Sequence, residues 1–139
     1  MKKVLTVGVF DYFHYGHLRL FCQIKNHYPN SHLIVAVQHE DFILKYKPES
    51  VIFYSTEIRC EFIRSLRQVD QVITYESVAD IVRKIDFDVF AVGEDQNHSG
   101  FQAAMAYCVK NRRGILHLSR TANISSSMIK GNFEFRRPV

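Results

Sequence analysis

Short apolar runs alternate along this chain with segments of helical periodicity, and this alternation limits the folds that the chain can adopt. Strands are predicted at residues 4–10, 33–37, 71–74, 89–92 and 115–118. Each run is short and apolar, which is typical of parallel strands that are covered on both faces. The pattern predicts an α/β fold: a single Rossmann-like domain over residues 1–139, with a mainly parallel five-stranded sheet and helices on both faces.

The segments between these runs repeat apolar residues at helical spacing. Three stripes are predicted to pack into the core: Val78, Ile81, Val82 and Ile85; Phe101, Ala104, Met105 and Cys108; and Ile58, Phe62, Leu66 and Val69. Ser77 and Asp80 form a candidate capping box before the first stripe, and Gly114 is predicted to end the second helix. The least regular stretch, residues 38–54, is the candidate for a mobile loop beside a site.

Two candidate helix starts carry groups that suit phosphate. After the first predicted strand, His14 and His17 flank Gly16. Near the other end of the chain, the basic residue Arg120 is followed by the hydroxyl groups of Thr121, Ser125, Ser126 and Ser127, with the apolar Ile124 among them. Helix N-termini present unpaired N–H groups and the positive end of the helix dipole, so each is a natural seat for phosphate. The two together suggest an enzyme that handles a nucleoside triphosphate.

The composition limits which partners the protein is expected to bind and in which cellular compartment it is expected to work. The net charge of +4 favours an anionic partner, but the basic residues are dispersed, which argues against nucleic acid. No apolar stretch approaches the length of a membrane span, and the N-terminus lacks the pattern of a signal peptide, so membrane insertion is not expected. The three widely spaced cysteines favour free thiols in a reducing cytoplasm.

The H-x-G-H motif after a first strand and the later R-T-x-x-I-S-S-S motif resemble the signatures of small cytidylyltransferases, in particular the glycerol-3-phosphate cytidylyltransferases. The likeness continues in order through Lys45-Tyr46-Lys47, Glu57-Ile58-Arg59, residues 69–73 and residues 92–95. The resemblance implies a homodimeric enzyme that transfers CMP from CTP to a phosphorylated small acceptor and releases pyrophosphate. By itself the sequence does not separate cytosine from adenine.

His14, His17, Lys47 and Arg120 are the candidate catalytic residues. Imidazole N–H groups can donate to phosphate oxygens and strengthen as charge develops, and the Arg120 guanidinium offers a fork of donors. The alternative for the histidine pair is that it only caps or packs a helix. The resemblance adds Lys47, as a contact to the triphosphate.

The remaining candidate residues divide between two ligands. The candidate nucleotide contacts are Val9, Phe10, His14, Gly16, His17, Lys47, Glu94, Arg120, Thr121, Ile124, Ser125, Ser126 and Ser127. By the resemblance, the candidate acceptor contacts are Asp11, Lys45, Arg59 and Glu76. Mg²⁺ is the expected cofactor, and Asp11, Glu94 and Asp95 are carboxylates that could orient it or the nucleotide, but none is assigned as a ligand.

The chain departs from the family pattern at a few positions. Asn123 replaces a glycine, which the turn tolerates because asparagine adopts left-handed backbone more readily than most residues. Glu76 replaces a lysine, and Gln96, Asn97 and His98 replace a segment with a tryptophan. These departures predict that glycerol 3-phosphate is not the best acceptor.

Three alternatives remain open. The first is an adenylyltransferase of the same superfamily, or a cytidylyltransferase for a sugar phosphate or an amino-bearing phosphate. The second is a non-catalytic nucleotide-binding module. The third is a relative of class I aminoacyl-tRNA synthetases, which share H-x-G-H, but the chain is short for such an enzyme and has no K-M-S-K-S sequence.

Overall fold

The computed structural model describes residues 1–121. Its strands are β1 (Lys3–Gly8), β2 (His32–Gln38), β3 (Gln71–Tyr75), β4 (Val89–Gly93) and β5 (Gly114–Leu118). Its helices are α1 (Tyr15–His27), α2 (Glu40–Tyr46), α3 (Thr56–Arg64), α4 (Val78–Lys84) and α5 (Ser99–Lys110). The strands form one parallel sheet in the order β3-β2-β1-β4-β5, which confirms the predicted α/β fold.

The direction in which the sheet grows reverses at β1. The chain moves outward from β1 through β2 to β3, and then returns to place β4 on the other side of β1. β1 and β4 pair only as far as Thr6 and Ala91, while each continues in register with its outer neighbour. The two strands therefore part at their carboxyl ends. In open α/β sheets, a crevice at such a point is where ligands bind.

Helices cover both faces of the sheet. Successive residues of β2 point to opposite sides: Ile34 packs in a cluster with residues of α4 and α5, whereas Leu33 and Val35 pack in a cluster with residues of α1 and α3. Val35 is completely buried, and burial of such a side chain contributes about 1.5–3 kcal/mol. These two clusters of buried side chains hold the helices against the sheet and thereby fix the positions of the strand ends.

Of two predicted helix ends, one is confirmed and one is wrong. The Ser77 hydroxyl accepts a hydrogen bond from the Asp80 N–H at 3.3 Å and so caps α4, as predicted. The prediction that Gly114 ends α5 is wrong, because α5 ends at Lys110 and Gly114 begins β5. The left-handed residue of this connection is Arg112, with φ 59°.

The predicted apolar stripe of α3 is also wrong in part. Ile58 and Phe62 are 42% and 44% exposed, and the buried face consists of Thr56, Arg59, Cys60 and Ile63. The helix ends at Arg64, so Leu66 and Val69 pack against the core from the connection that follows. The apolar spacing in the sequence therefore grouped residues that do not lie on one face of one helix.

Residues 38–54, predicted as a loop, contain the short helix α2. His39 caps this helix through its Nδ1 atom, which accepts the Asp41 N–H at 3.2 Å. The irregular part that remains is residues 47–54, which we call the wall loop. Within residues 1–121, no helix combines the length and apolar character that crossing a membrane requires.

Candidate active site

A cavity of about 440 Å³ opens where β1 and β4 part. The segments that follow β1, α2, β4 and β5 line it together. The predicted site residues in its lining are Val9, Phe10, Asp11, His14, Gly16, His17, Lys47, Glu94, Arg120 and Thr121. The lining does not include Lys45, Arg59 or Glu76. Ile124, Ser125, Ser126 and Ser127 lie outside the described residues.

The connection from β1 to α1, residues 9–14, has a strained backbone, and we call it the histidine turn. Phe10 and Tyr12 have positive φ angles of 58° and 53°, a conformation that costs a residue with a side chain roughly 1–2 kcal/mol. A Cβ atom at Gly8 would lie 2.8 Å from the Phe10 ring, so a side chain at this position would require that ring to shift. β1 therefore ends at Gly8 rather than at the predicted residue 10.

His14 and His17 cap α1 reciprocally. His14 Nδ1 accepts the Gly16 N–H at 3.0 Å, and His17 Nδ1 accepts the His14 N–H at 3.2 Å. A ring nitrogen that accepts a hydrogen bond carries no proton, so each neutral ring holds its proton on Nε2. Capping and ligand binding are therefore compatible, since the cap uses one nitrogen and leaves an Nε2–H donor on each ring.

Aromatic rings surround His17. Its ring centroid lies 5.4 Å from that of Phe10, 5.3 Å from that of Phe13 and 3.9 Å from that of His14. Burial, and to a lesser extent the neighbouring His14, lowers the pKa of His17 from 6.5 to about 4. Burial also lowers the pKa of His14. With no ligand bound, both rings are neutral hydrogen-bond donors near pH 7.

The opposite side of the cavity follows β5. An Arg120 guanidinium nitrogen lies 3.4 Å from an Asp95 carboxylate oxygen, and both side chains are at least half exposed. Such exposed pairs contribute little, so the guanidinium can exchange Asp95 for a phosphate. Arg19 of α1 donates to the Thr121 hydroxyl at 3.4 Å. α1 thus supplies the histidine pair at its start and supports the Arg120 segment along its side.

The two lysines of the K-x-K motif separate at the end of α2. Lys47 is the C-cap residue of α2 and lines the cavity. The Lys45 ammonium instead lies 5.6 Å from the Phe42 ring centroid and 6.0 Å from that of Tyr46. The structure therefore brings Lys47, but not Lys45, to the cavity.

Arg59 does not face the cavity either. It is 1% exposed, and its guanidinium donates to the backbone carbonyls of Val9, Gln38 and Tyr54. Burial lowers its pKa, although Asp11 acts in the opposite direction. Arg59 is a predicted acceptor contact, but in this structure its donors are engaged with the protein and it does not line the cavity. Asp11 lines the cavity, but its carboxylate oxygens accept backbone N–H groups.

Glu94 and Asp95 place two exposed carboxylates beside the cavity, directly after β4. Among residues 1–121, no cluster of three or more His, Cys, Asp or Glu side chains could hold a metal ion. Mg²⁺ commonly takes only one or two protein carboxylates when it also binds substrate phosphates. The carboxylates present fit a Mg²⁺ ion whose other ligands are phosphate oxygens and water.

The sequence profile of the cytidylyltransferase-like family matches residues 5–132. The chain belongs to the cytidylyltransferase-like family. Membership confirms the predicted class, a nucleotidyl-transferring enzyme of the cytidylyltransferase type. The predicted resemblance is confirmed as well, since it extends over nearly the whole chain.

Relatives of this cytidylyltransferase-like chain include two glycerol-3-phosphate cytidylyltransferases. That of Bacillus spizizenii is 34% identical over 94% of this chain and 95% of its own length, and that of Staphylococcus aureus is 33% identical over 94% and 93%. The FAD synthase of Thermococcus onnurineus is 36% identical over 70% of this chain and 65% of its own length. A lipopolysaccharide core biosynthesis protein of Thermoplasma volcanium shares the fold, with a TM-score of 0.68, 20% identity and coverage of 87% of this chain and 97% of that chain.

Among the departures from the family pattern that the structure describes, Gln96 lines the cavity, whereas Glu76, Asn97 and His98 do not. Glu76 is exposed and lines a separate shallow hollow with His39 and Lys84. The Gln96 side chain bridges the parting strands: its Oε1 accepts the Gly93 N–H at 3.0 Å and its Nε2 donates to the Val7 carbonyl at 2.8 Å. The expectation of an unusual acceptor therefore loses its structural basis at Glu76.

Part of the lining is not among the predicted contacts. Ser50, Val51 and Ile52 of the wall loop line the cavity, and they lie within residues 38–54, the stretch that the sequence predicts beside a site. Gln96 lines the cavity as well, and its amide links backbone groups of β1 and β4. The available signal for Gln96 is a polar residue three positions after the end of a strand at the switch point.

Proposed function

We propose that this enzyme transfers CMP from CTP to a phosphorylated small molecule, with glycerol 3-phosphate as the first acceptor to test, and releases pyrophosphate. The observation that carries the proposal is the pair of neutral imidazoles, His14 and His17, whose Nδ1 atoms are engaged in the α1 cap. The relatives named as glycerol-3-phosphate cytidylyltransferases support both the nucleotide and the acceptor.

The chemistry requires little acid or base. An acceptor phosphate oxygen is already an anion when it attacks the α-phosphorus, forming a new P–O bond while the bond to the β-phosphate oxygen breaks and pyrophosphate leaves. The protein must align the reactants and stabilise charge as it develops. The Nε2–H groups of His14 and His17 would donate to oxygens of the α-phosphate, and such donors strengthen as negative charge grows there.

Cationic groups complete the proposed site. Lys47 at the end of α2 and Arg120 after β5 both line the cavity and would neutralise charge on the triphosphate. Glu94 and Asp95 would hold Mg²⁺ together with the phosphates. When bound, Mg²⁺ would supply further charge neutralisation of the departing pyrophosphate.

A panel of nucleotides tests the base specificity. With Mg²⁺ and glycerol 3-phosphate, we expect pyrophosphate release to be fastest with CTP, compared with ATP, GTP and UTP. The FAD synthase relatives favour a second candidate, adenylyl transfer, because FAD contains an adenylyl group. Release with ATP at roughly tenfold the CTP rate, a difference of about 1.4 kcal/mol in barrier, would select that candidate instead.

The acceptor needs its own comparison. Since Glu76 lies away from the cavity, a Glu76→Lys variant should leave the KM for glycerol 3-phosphate within about twofold, well under the factor of ten that 1.4 kcal/mol represents. Sugar phosphates and amino-bearing phosphates serve as competitors in the same assay. A large change in the acceptor KM of this variant would show that Glu76 does contribute to acceptor binding.

A homodimer is part of the proposal. The outer face of α3 exposes Ile58 and Phe62, and the Phe62 ring continues into Tyr54 at 5.2 Å. α3 carries Glu57 in its first turn and Arg64 in its last, so two antiparallel copies would bring opposite charges together around a two-fold axis. Sedimentation velocity should show a dimer that Phe62→Glu weakens. A monomer throughout the micromolar range would contradict this arrangement.

A cytoplasmic location is proposed from the cysteines. Cys22, Cys60 and Cys108 are all free thiols, and burial raises the pKa of Cys60 and of Cys108. A buried thiol with a raised pKa is unreactive, as expected of structural cysteines in a reducing compartment. Fractionation of cells that make the protein would test the location.

A further inference from the structure

Arg59 and Asp11 form a buried clamp behind the cavity wall. Their side chains are 1% and 6% exposed. Arg59 Nε donates to the Tyr54 carbonyl at 3.1 Å, and Asp11 Oδ1 accepts the Tyr54 N–H at 3.1 Å. The two side chains therefore hold the same residue by both of its backbone groups. Asp11 Oδ2 accepts the neighbouring Phe53 N–H at 2.6 Å.

The other donors of Arg59 reach further segments. One guanidinium nitrogen donates to the Val9 carbonyl at 2.9 Å and to the Gln38 carbonyl at 2.8 Å. Val9 opens the histidine turn, and Gln38 ends β2. The other terminal guanidinium nitrogen of Arg59 donates to the Thr56 hydroxyl, which also accepts the Glu40 N–H at the start of α2. One side chain thus connects the turn that leads to His14 with both ends of the segment that carries Lys47.

We propose that Arg59 and Asp11 are positioning residues that fix the distance between the histidine turn and the wall loop, and thereby between the imidazole pair and Lys47, without touching substrate. The inference rests on the proposed nucleotidyl transfer for its catalytic consequence. It differs from the sequence-based assignment of both residues to the acceptor.

The strained backbone of the turn explains why such a clamp is needed. Phe10 and Tyr12, which flank Asp11, both have left-handed backbone, and such conformations persist only where the surroundings determine them. Asp11 ties the middle of the turn to the wall loop, and Arg59 ties its first residue. Removing either side chain leaves backbone N–H or carbonyl groups of these segments without their hydrogen-bond partners, which lets the segments shift relative to each other.

The wall loop can be observed directly, because the chain contains no tryptophan. Phe53 is 60% exposed, so Phe53→Trp places a single indole in the wall loop beside Asp11. In this background, Asp11→Asn replaces the carboxylate whose two oxygens accept the Phe53 and Tyr54 N–H groups with an amide that has only one acceptor oxygen. We expect a lower anisotropy of the indole emission, a kcat reduced roughly ten- to a hundredfold, and a Kd for CTP nearly unchanged.

Arg59→Lys provides the second variant, with Arg112→Lys as its matched control. Lysine keeps the charge at position 59 but cannot reach the three carbonyl groups together, so kcat should fall in the same range and the indole anisotropy should fall with it. Arg112 is exposed in the turn before β5, at the edge of the sheet opposite the cavity, and its variant should match the parent.

Two results would overturn the proposal. A raised KM for the acceptor with an unchanged kcat would return these residues to acceptor binding. A lower melting temperature with normal kcat and normal anisotropy in the folded protein would leave them a purely structural role. If Arg59→Lys does not fold, Asp11→Asn decides between these results. If the unsubstituted protein transfers no nucleotide at all, the proposed function fails, whereas the anisotropy of the Phe53→Trp variants still tests whether the clamp holds the loop.

Discussion

Replacing His17 by asparagine should lower kcat roughly a hundredfold while leaving the affinity for CTP nearly unchanged. The His17→Asn substitution separates two roles of one side chain, since an asparagine oxygen can still accept the His14 N–H that His17 Nδ1 accepts at 3.2 Å. What is lost is the Nε2–H donor, and loss of one donor to developing charge typically costs about 3 kcal/mol in the transition state. Steady-state rates and CTP titration measure the two effects separately.

His27→Ala is the matched control for this variant. His27 lies in the last turn of the same helix, is exposed, and contacts the Tyr28 ring. Its removal should leave kcat unchanged within a factor of about two, a small fraction of the hundredfold expected at His17. A folded His17→Asn protein with near-normal kcat would show that His17 serves only as a cap.

The stability of the enzyme should fall steeply between neutral and acidic pH because of the same histidine. Burial lowers the pKa of His17 from 6.5 to about 4 in the folded protein. Between those values the unfolded chain binds a proton that the folded protein excludes, so the free energy of unfolding rises with pH in this window. The loss at this position amounts to about 2 kcal/mol at pH 5 and about 3 kcal/mol at pH 4, relative to pH 7.

Urea unfolding at pH 7, pH 5 and pH 4 measures this dependence. His17→Asn removes the titrating ring and should flatten the curve between pH 6.5 and about 4, apart from the smaller contribution of His14, whose pKa is lowered in the same direction. Equal slopes for the two proteins would mean that His17 is not held neutral by its surroundings. A bound triphosphate should reduce the effect, since phosphate charge stabilises the protonated ring.

The sequence predicted the fold well because the strands carry strong and simple signals. Each strand is five to seven residues long and contains a short apolar run, as strands covered on both faces of a parallel sheet require. The histidine pair was also found from the sequence, since it follows the first strand directly. What was not predictable is the local arrangement that fixes the tautomer, because reciprocal capping depends on the backbone angles of the turn.

The errors have physical causes as well. α2 has only seven residues, and its apolar residues are too few to repeat at helical spacing over successive turns, so no apolar stripe marked it. The sequence predicts Arg59 as a cation that contacts substrate. Its burial is not predictable from the sequence, because the buried guanidinium depends on backbone carbonyls from distant segments. Lys45 and Lys47 are two positions apart, but the end of α2 directs them to different places.

Phosphorus NMR of the products distinguishes cytidylyl transfer from hydrolysis. With CTP, Mg²⁺ and glycerol 3-phosphate, we expect pyrophosphate and a CDP-linked diphosphodiester in equal amounts, and both signals should grow far more slowly with His17→Asn. Conversion of CTP to CMP and pyrophosphate without a new diphosphodiester would show hydrolysis instead of transfer. CTP that stays intact with every phosphorylated acceptor offered would show that this protein does not transfer CMP to them.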